Sequence, residues 1–303
     1  MSGLLILFSN NILPIFLASG AGYLISKFLK VPPRPVSQIA FYIFSPCLIF
    51  NLLTTSELSG QDISRMAGFT FTVVLLLGLL TILIGYVLRL ERRLLAAVLL
   101  TTMFGNAGNY GLSLNLFAFG EKALAHASLY FVTTAIMIYT IGVFIASMGN
   151  SNFGQSLLGL LKVPAIYAVA LAFAFNRFHL LLPLPLDRTV TILSDAAIPV
   201  LMVLLGIQLE HSEWDGKTMA LSVSNLMRLI AAPALALLLS FVFGLEGDAL
   251  KAGVLESAMP TAVLMTVLAT EYDVEPSFVT SVVFITTLLS PITVTPLLAY
   301  LGA

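Results

Sequence analysis

The sequence GNAGNYG, residues 105–111, places three glycines and two asparagines inside an apolar stretch that otherwise predicts a helix over 93–117. Glycine weakens a helix, so the helix is expected to be interrupted here. A second segment, AMPTAVL at 258–264, lies 153 residues later and contains Pro260. Proline removes one backbone donor and clashes with the preceding turn. Two helices are therefore predicted to be broken at corresponding depth; the alternative is close packing at the glycines and a simple kink at Pro260.

The composition indicates that these helices lie in a membrane. Of 303 residues, 59% are hydrophobic, and only 14 are basic and 15 acidic. So few charges cannot cover a globule of this size in water, so most of the outer surface must face lipid. A net charge of −1 argues against a nucleic-acid partner. The single cysteine, Cys47, excludes an internal disulfide and a cysteine-based zinc site.

Apolar runs long enough to cross a bilayer recur along the whole chain. A crossing takes about 20 apolar residues in a helix, and runs such as 69–88 lack the strict alternation of a β-barrel strand. The connections are too short to hold a soluble catalytic domain. We predict an all-α integral membrane protein with ten transmembrane helices, at residues 4–28, 36–55, 66–88, 93–117, 123–147, 156–176, 187–209, 218–243, 249–270 and 276–301.

An internal repeat relates the two ends of this series. At a shift of 153 residues, the sequence FVTT at 131–134 falls on FITT at 284–287, and Pro46 falls on Pro199. Such matches are individually weak in an apolar chain, but they share one register, and the shift is half the length. The paired prolines predict that Ser45-Pro46 interrupts helix two and that Pro199 interrupts helix seven.

The repeat divides the chain into a first half, 1–150, and a second half, 151–303, with five predicted helices each. Because five is odd, the second half must be inverted relative to the first, as in many secondary transporters. Basic residues favour the cytoplasmic side. Eight lie in loops on one side and five on the other, and the side with eight is taken as the cytoplasm. The chain is therefore predicted to be a multi-pass protein of the cell membrane (the plasma or inner membrane) with both termini outside the cytoplasm.

Three groups of residues together resemble the auxin efflux carrier family. They are Asn106-x-Gly108-Asn109-x-Gly111 followed by Phe119-Gly120, the pair Ser45-Pro46, and Ala258-Met259-Pro260 followed by Ala269-Thr270-Glu271-Tyr272. The chain is similar to a short, prokaryotic-type member, because only about residues 149–155 connect helices five and six. The resemblance implies two inverted five-helix repeats with broken, crossing helices four and nine, an arrangement like that of bile acid sodium symporters. It also implies a scaffold and a transport domain, each drawn from both halves, and transport of organic anions such as small carboxylates.

The crossing of the broken helices is the predicted substrate site. Free N–H groups and helix N-termini suit an anion, and asparagine amides add donors without bringing charge into the membrane. Arg228 could hold a carboxylate with two hydrogen bonds, or it could instead snorkel or neutralise an acidic residue. The predicted substrate-binding residues are Asn106, Gly108, Asn109, Ser45, Pro46, Met259, Pro260, Thr261 and Arg228.

Ionisable side chains inside the predicted helices indicate a coupling site. Asp195, Arg228 and Glu256 would be costly facing lipid, and the two acidic residues each lie four residues before a proline of a predicted break. Oxygen ligands around Glu256 would suit Na⁺, whereas the same carboxyl group without them could carry H⁺. The alternative is a structural pairing with Arg228 or with hydroxyl groups. The predicted ion site comprises Glu256, Asp195, Thr133 and Thr134.

Two classes of function compete. The favoured one is secondary active transport of a small organic anion by alternating access, with the substrate held where helices four and nine cross. The other is a membrane-embedded ligand sensor or enzyme that reuses the fold, although no spacing supplies a nucleophile with a base or a metal cluster. We expect no enzyme activity, no catalytic residue, no cofactor and no metal beyond Na⁺ at Glu256. The expected partners are the organic anion and the lipid bilayer, with a homodimer left open.

Overall fold

A computed structural model describes residues 2–55, 58–147, 164–210 and 217–303. Over these ranges the chain is helical, and its only extended pairing is one isolated antiparallel bridge. The helices are α1 (Gly3–Leu29), α2 (Pro33–Thr55), α3 (Gly60–Val87), α4 (Arg92–Met103), α5 (Ala107–Ala146), α6 (Pro164–Phe178), α7 (Leu184–Glu210), α8 (Thr218–Val242), α9 (Gly247–Ser257), α10 (Leu264–Glu271) and α11 (Pro276–Leu301).

Seven of the described helices, α1, α2, α3, α5, α7, α8 and α11, are long and apolar enough to cross a membrane, as an all-α integral membrane protein requires. The predicted fourth helix divides into α4 and the first turns of α5, and the predicted ninth divides into α9 and α10. The predicted fifth helix continues α5 beyond a kink at Gly120, where φ is +78°. Of the predicted sixth helix the structure describes α6, and the predicted loop at 149–155 lies outside the described residues.

Local sequence signals set several helix ends. At the start of α3, the Ser59 hydroxyl accepts from the N–H of Asp62 at 3.2 Å, and the Asp62 carboxylate accepts from the N–H of Ser59 at 2.9 Å. This reciprocal pair is a capping box. α11 begins at Pro276, whose missing N–H is not needed in a first turn. It ends at Leu301, and the next residue, Gly302, caps it with a φ of +78°.

The predicted interruptions of helices two and seven are wrong. α2 stays helical through Ser45 and Pro46, because a π-helical turn at Ala40–Phe44 precedes the proline and the N–H of Ser45 donates to the carbonyl of Ala40. This wider turn accommodates the missing donor. α7 is also continuous, with Pro199 inside it. A single proline removes one hydrogen bond from a long helix, and the turns on either side keep theirs.

The helices pack in two groups. The first helix group consists of α1, α2, α6 and α7, in which α7 packs along α1 and α2 while α6 packs against α2. The second helix group consists of α3, α4, α5 and α8 to α11, in which α9 packs on α5 and α3 while α11 packs on α4, α8 and α10. Each group takes helices from both halves of the sequence. α7 also contacts the first turns of α5, so the two groups meet beside the break between α4 and α5.

Small residues bring α1 and α7 into backbone contact. A Cβ added to Gly22 of α1 would overlap the carbonyl of Val203 on α7. A Cβ added to Gly206 of α7 would overlap the carbonyl of Ser19 on α1. The buried Ser19 hydroxyl donates to the carbonyl of Met202 at 3.0 Å. In lipid, where apolar burial does not drive association, close packing and buried hydrogen bonds of this kind hold helices together. The α1–α7 pair is therefore the tightest contact around which the first helix group is built.

We expect Gly206→Ala to destabilise the protein by about 1–3 kcal/mol, because the added methyl group forces α1 and α7 apart. Gly20→Ala, also on α1, is the matched control, since a Cβ at that position meets nothing within 4 Å. Thermal unfolding of the purified variants in detergent, followed by near-ultraviolet circular dichroism, measures the difference. Equal melting temperatures for the two variants would contradict the packing described.

Candidate functional site at the paired helix breaks

The two helix breaks lie against each other and complete each other's hydrogen bonds. Beyond the end of α4, the N–H of Asn106 donates to the carbonyl of Pro260 at 2.7 Å. Beyond the end of α9, the N–H of Ala262 donates to the carbonyl of Phe104 at 2.9 Å. These two bonds make the isolated antiparallel bridge. Unpaired backbone groups are costly in a membrane, so each break stabilises the other.

Thr261 ties this pairing to the helices around it. We call the two non-helical segments, 104–106 and 258–263, the crossing. The N–H of Thr261 donates to the Thr286 hydroxyl of α11 at 3.1 Å, and its own hydroxyl donates to the Thr101 carbonyl of α4 at 2.8 Å. Thr261 is fully buried. Its N–H and its hydroxyl group both donate to the protein itself, and its predicted contact with substrate stays a prediction.

Arg228 on α8 caps both helices that end at the crossing. Its Nη1 donates to the carbonyl of Thr102 at 2.9 Å and to that of Met103 at 3.4 Å, at the end of α4. Its Nη2 donates to the carbonyl of Ser257, at the end of α9. A cation is favourable there because the helix dipole places partial negative charge at C-termini. The side chain is 2% exposed. Nη1 and Nη2 thus serve the helix ends, whereas the buried Nε has no hydrogen-bond partner among the described residues, so binding of substrate by Arg228 stays a prediction.

The two asparagines predicted to bind substrate lie at the start of α5. The Oδ1 of Asn106 accepts from the N–H of Asn109 at 3.2 Å, which makes Asn106 the N-cap of this helix. The Nδ2 of Asn106 is buried and has no hydrogen-bond partner among the described residues. A buried donor without a partner is rare in native proteins. Since α5 and α10 both begin at the crossing, this donor lies where two helix N-termini favour negative charge.

Gln208 on α7, which the sequence analysis missed, joins the two helix groups at this point. The Nδ2 of Asn109 donates to the Oε1 of Gln208 at 2.9 Å, and the Nε2 of Gln208 donates to the hydroxyl of Ser37 on α2 at 3.3 Å. All three side chains are half-buried. A glutamine in the last turn of α7, directly after the apolar run 196–207, is the signal that could have identified it. A chain of neutral polar groups thus runs from the crossing into the first helix group.

Glu256 on α9 is fully buried beside the crossing. Its Oε1 accepts from the Nδ2 of Asn115 at 2.9 Å, and its Oε2 has no hydrogen-bond partner in the described parts of the chain. The carboxyl group packs against Gly111 of α5, where an added Cβ would overlap it. The sequence analysis also missed Asn115. Asn115 lies four residues after Gly111, on the same face of α5, and this spacing could have indicated that it faces the same site.

Among the described residues, no hydrogen bond joins Glu256 to the other residues predicted for the ion site. Asp195 is exposed on α7 and lies about 20 Å along the helix from Gln208. The structure therefore does not bring Asp195 to the asparagines beside the crossing, and its assignment to the ion site stays a prediction. The Thr133 hydroxyl donates to the carbonyl of Leu129 in its own helix at 2.8 Å. The Thr134 hydroxyl is buried, and no partner for it lies among the described residues.

The remaining predicted residues divide between the crossing and helix packing. Gly108 lies under the ring of Phe131, where an added Cβ would approach a ring carbon to 3.0 Å. Its role is close packing within α5. The others are Ser45 and Pro46 on α2 and Met259 and Pro260 in the crossing, of which Pro46 is half-buried and the rest are buried.

The crossing is equipped to bind an anion by hydrogen bonding. It offers amide donors and the starts of two helices, while Arg228 holds a positive charge behind it. No group of three metal-ligating side chains occurs in the described parts of the chain. A multi-helix membrane protein in which two broken helices meet at a buried polar site has the architecture of a membrane transport protein.

Comparison with known proteins assigns the family. The chain belongs to the Mem_trans family of membrane transport proteins, which it matches over residues 7–153 and 146–298. The resemblance to auxin efflux carriers is confirmed: the chain is 31% identical over 141 residues to auxin efflux carrier component 3a of Oryza sativa, covering 44% of this chain and 23% of that one.

Relatives of similar length are named as transporters. An uncharacterized transporter of Methanocaldococcus jannaschii is 26% identical over 262 residues, which cover 84% of this chain and 85% of the relative. A putative malonate transporter of Rhizobium meliloti is 28% identical over 307 residues, which cover 95% and 93%.

We expect Arg228→Lys to lower the stability of the protein by about 2–3 kcal/mol, because an ammonium group cannot reach the carbonyls of α4 and α9 together. Arg34→Lys is the matched control, since Arg34 is exposed on α2. The melting temperature of each purified variant reports the effect. An Arg228→Lys variant that melts like the control but no longer binds carboxylates would make Arg228 a substrate ligand after all.

Proposed function

We propose that this protein is a secondary active transporter of a small organic anion, a carboxylate, that works by alternating access around the crossing. The observation that carries the proposal is the buried, unpartnered Nδ2 of Asn106 at the point where two helix N-termini begin. Such a donor suits an anion and adds no charge to the membrane interior. The names of the relatives favour transport over an enzyme activity.

The proposed topology is ten transmembrane helices in two inverted five-helix repeats, 1–150 and 151–303, with both termini outside the cytoplasm. Support comes from the two breaks, which lie at corresponding positions and meet in an antiparallel bridge. In this arrangement α4 with the start of α5 is helix four, and α9 with α10 is helix nine. Inverted repeats let a protein reach two related conformations that open to opposite sides of the membrane.

The substrate class follows from the chemistry of the donors. Amide N–H groups and a nearby buried guanidinium favour an anion over a neutral or cationic solute. The R. meliloti relative is named as a putative malonate transporter, which makes short mono- and dicarboxylates the first substrates to test. Asn106 and Asn109 are the proposed ligands, and Arg228 adds its positive charge beside them.

The moving parts of the transporter are proposed to be the two helix groups. The first helix group serves as the scaffold, because α1 and α7 are in backbone contact. The second helix group carries the crossing and moves against it. The hydrogen bonds from Asn109 to Gln208 and from Gln208 to Ser37 span the boundary between the groups. An anion that takes the amide of Asn109 would release Gln208 and so loosen the boundary when substrate is bound.

Glu256 is proposed as the residue that couples transport to an ion gradient. It is fully buried, lies against the first turns of α5 and leaves Oε2 without a partner among the described residues. A buried carboxyl group in a membrane is costly unless it has a function or a partner. A glutamate carboxyl group can bind either Na⁺ or H⁺, so the residue type alone does not choose between these two coupling ions.

We expect Asn109→Ala to reduce uptake of radiolabelled malonate into proteoliposomes at least about tenfold, because a hydrogen bond to a charged ligand is lost. Asn10→Ala is the matched control, since Asn10 is exposed near the start of α1. Folding of both variants is checked by their melting temperature and elution volume. Wild-type uptake by a folded Asn109→Ala variant would remove this residue from the substrate site.

A further inference from the structure

Two buried ionisable groups flank the end of α9 without pairing with each other. The donors on Nη1 and Nη2 of Arg228 are directed at backbone carbonyls of α4 and α9. The Glu256 carboxyl group of α9 instead lies against Gly111 and Asn115 of α5. Within the described residues, no Lys, Arg or His nitrogen lies within 4 Å of the Glu256 carboxylate. The negative charge of an ionised Glu256 would therefore have no adjacent counter-charge.

The described contacts of Glu256 are one hydrogen-bond donor and a close-packed backbone, and the one amide oxygen left without a partner beside them is Oδ1 of Asn115. The nearest polar neighbour of Glu256 presents an N–H group, because the Nδ2 of Asn115 also donates to the carbonyl of Gly111 at 3.0 Å and is fixed in that orientation. An N–H donor repels a cation. The backbone of Gly111 occupies a further side of the carboxyl group. Hard cations require several oxygen ligands, whereas a proton requires only the carboxylate oxygen itself.

A single residue, Gly111, contacts both Glu256 and Asn106 of the proposed anion site. The N–H of Gly111 donates to the carbonyl of Asn106 at 2.9 Å, and the other face of Gly111 touches the Glu256 carboxyl group. An anion held by Asn106 and an ionised Glu256 would be like charges a short distance apart in a medium of low dielectric, where repulsion is strong. Neutral Glu256 removes this repulsion and leaves the positive charge of Arg228 for the anion.

We propose that Glu256 binds one proton together with each anion, so that the protein is a proton–carboxylate symporter. This rests on the proposed transport function and specifies its coupling ion. The proton comes from the aqueous phase to which the site is open, and it forms an O–H bond on the Glu256 carboxylate. When the second helix group exposes the site to the opposite side, the anion leaves and the same O–H bond gives its proton to water.

The other titratable groups around α9 do not supply this proton. α5 contributes the phenols of Tyr110 and Tyr130, which hydrogen-bond Ser290 and Ser257. His126, also on α5, faces Asp62 and Asp248 at helix starts. α8 contributes Arg228, which keeps its charge at any pH of interest. α11 contains no charged residue, and the charged residues of α3 lie in its first two turns.

The test is a direct measurement of proton uptake during binding. Malonate is added to the purified protein in weakly buffered detergent solution containing a pH indicator, at neutral and mildly alkaline pH. We expect the wild type to take up as much as one proton for each malonate bound, and its affinity to fall about tenfold per pH unit once free Glu256 is ionised. Glu256→Gln should take up no proton and should bind with an affinity that does not change with pH.

Glu271→Gln is the matched control, because Glu271 is exposed at the end of α10 and should behave like the wild type. Malonate binding by the wild type without proton uptake at any of these pH values would overturn the proposal and leave the transport function standing. So would a dependence of binding on Na⁺, compared with choline, that Glu256→Gln abolishes. If neither malonate, acetate nor succinate binds, the proposed function fails and this inference fails with it. The wild-type proton count decides the matter even if Glu256→Gln does not fold.

Discussion

In the interior of a bilayer every backbone N–H and C=O group must find a partner within the protein, and the whole arrangement at the crossing follows from that requirement. The breaks after α4 and α9 each free several of these groups. Each break is satisfied by the other, through the bonds from Asn106 to Pro260 and from Ala262 to Phe104. Neither break would be stable alone. The two halves of the chain therefore meet where one described helix of each half is broken.

The same requirement explains the chemistry of the residues nearby. Arg228 is needed because two helices end side by side and leave their last carbonyls exposed to a medium without water. Gly105 is needed because a Cβ there would approach Nη2 of Arg228 to 3.2 Å. With the carbonyl ends capped in this way, the N-terminal ends of α5 and α10 and the amide of Asn106 are left to receive a ligand. The polarity of the site is thus a consequence of which helix ends the protein itself has satisfied.

The breaks were predictable because glycine and proline act locally, through backbone freedom and a missing donor, and neither effect depends on the rest of the fold. Asn106 and Asn109 lie within the same glycine-rich run, so their position at the break was predictable too. Which way a side chain faces was not predictable in helices that are largely apolar, so the sequence did not reveal that Asp195 is exposed on α7. Pro199 and Pro46 were also misread, since one missing hydrogen bond distorts a long helix without ending it. Gln208 and Asn115 depend on contacts between distant helices, which no local pattern reports.

The central claim, that the paired breaks form the substrate site, is tested most directly by hydrogen–deuterium exchange of the wild-type protein in lipid nanodiscs with and without malonate. The account predicts that malonate slows exchange in residues 104–111 and 258–263, while the amides of the α1–α7 pair keep their rates. Binding of malonate with unchanged exchange in both segments, or with protection confined to other helices, would contradict it.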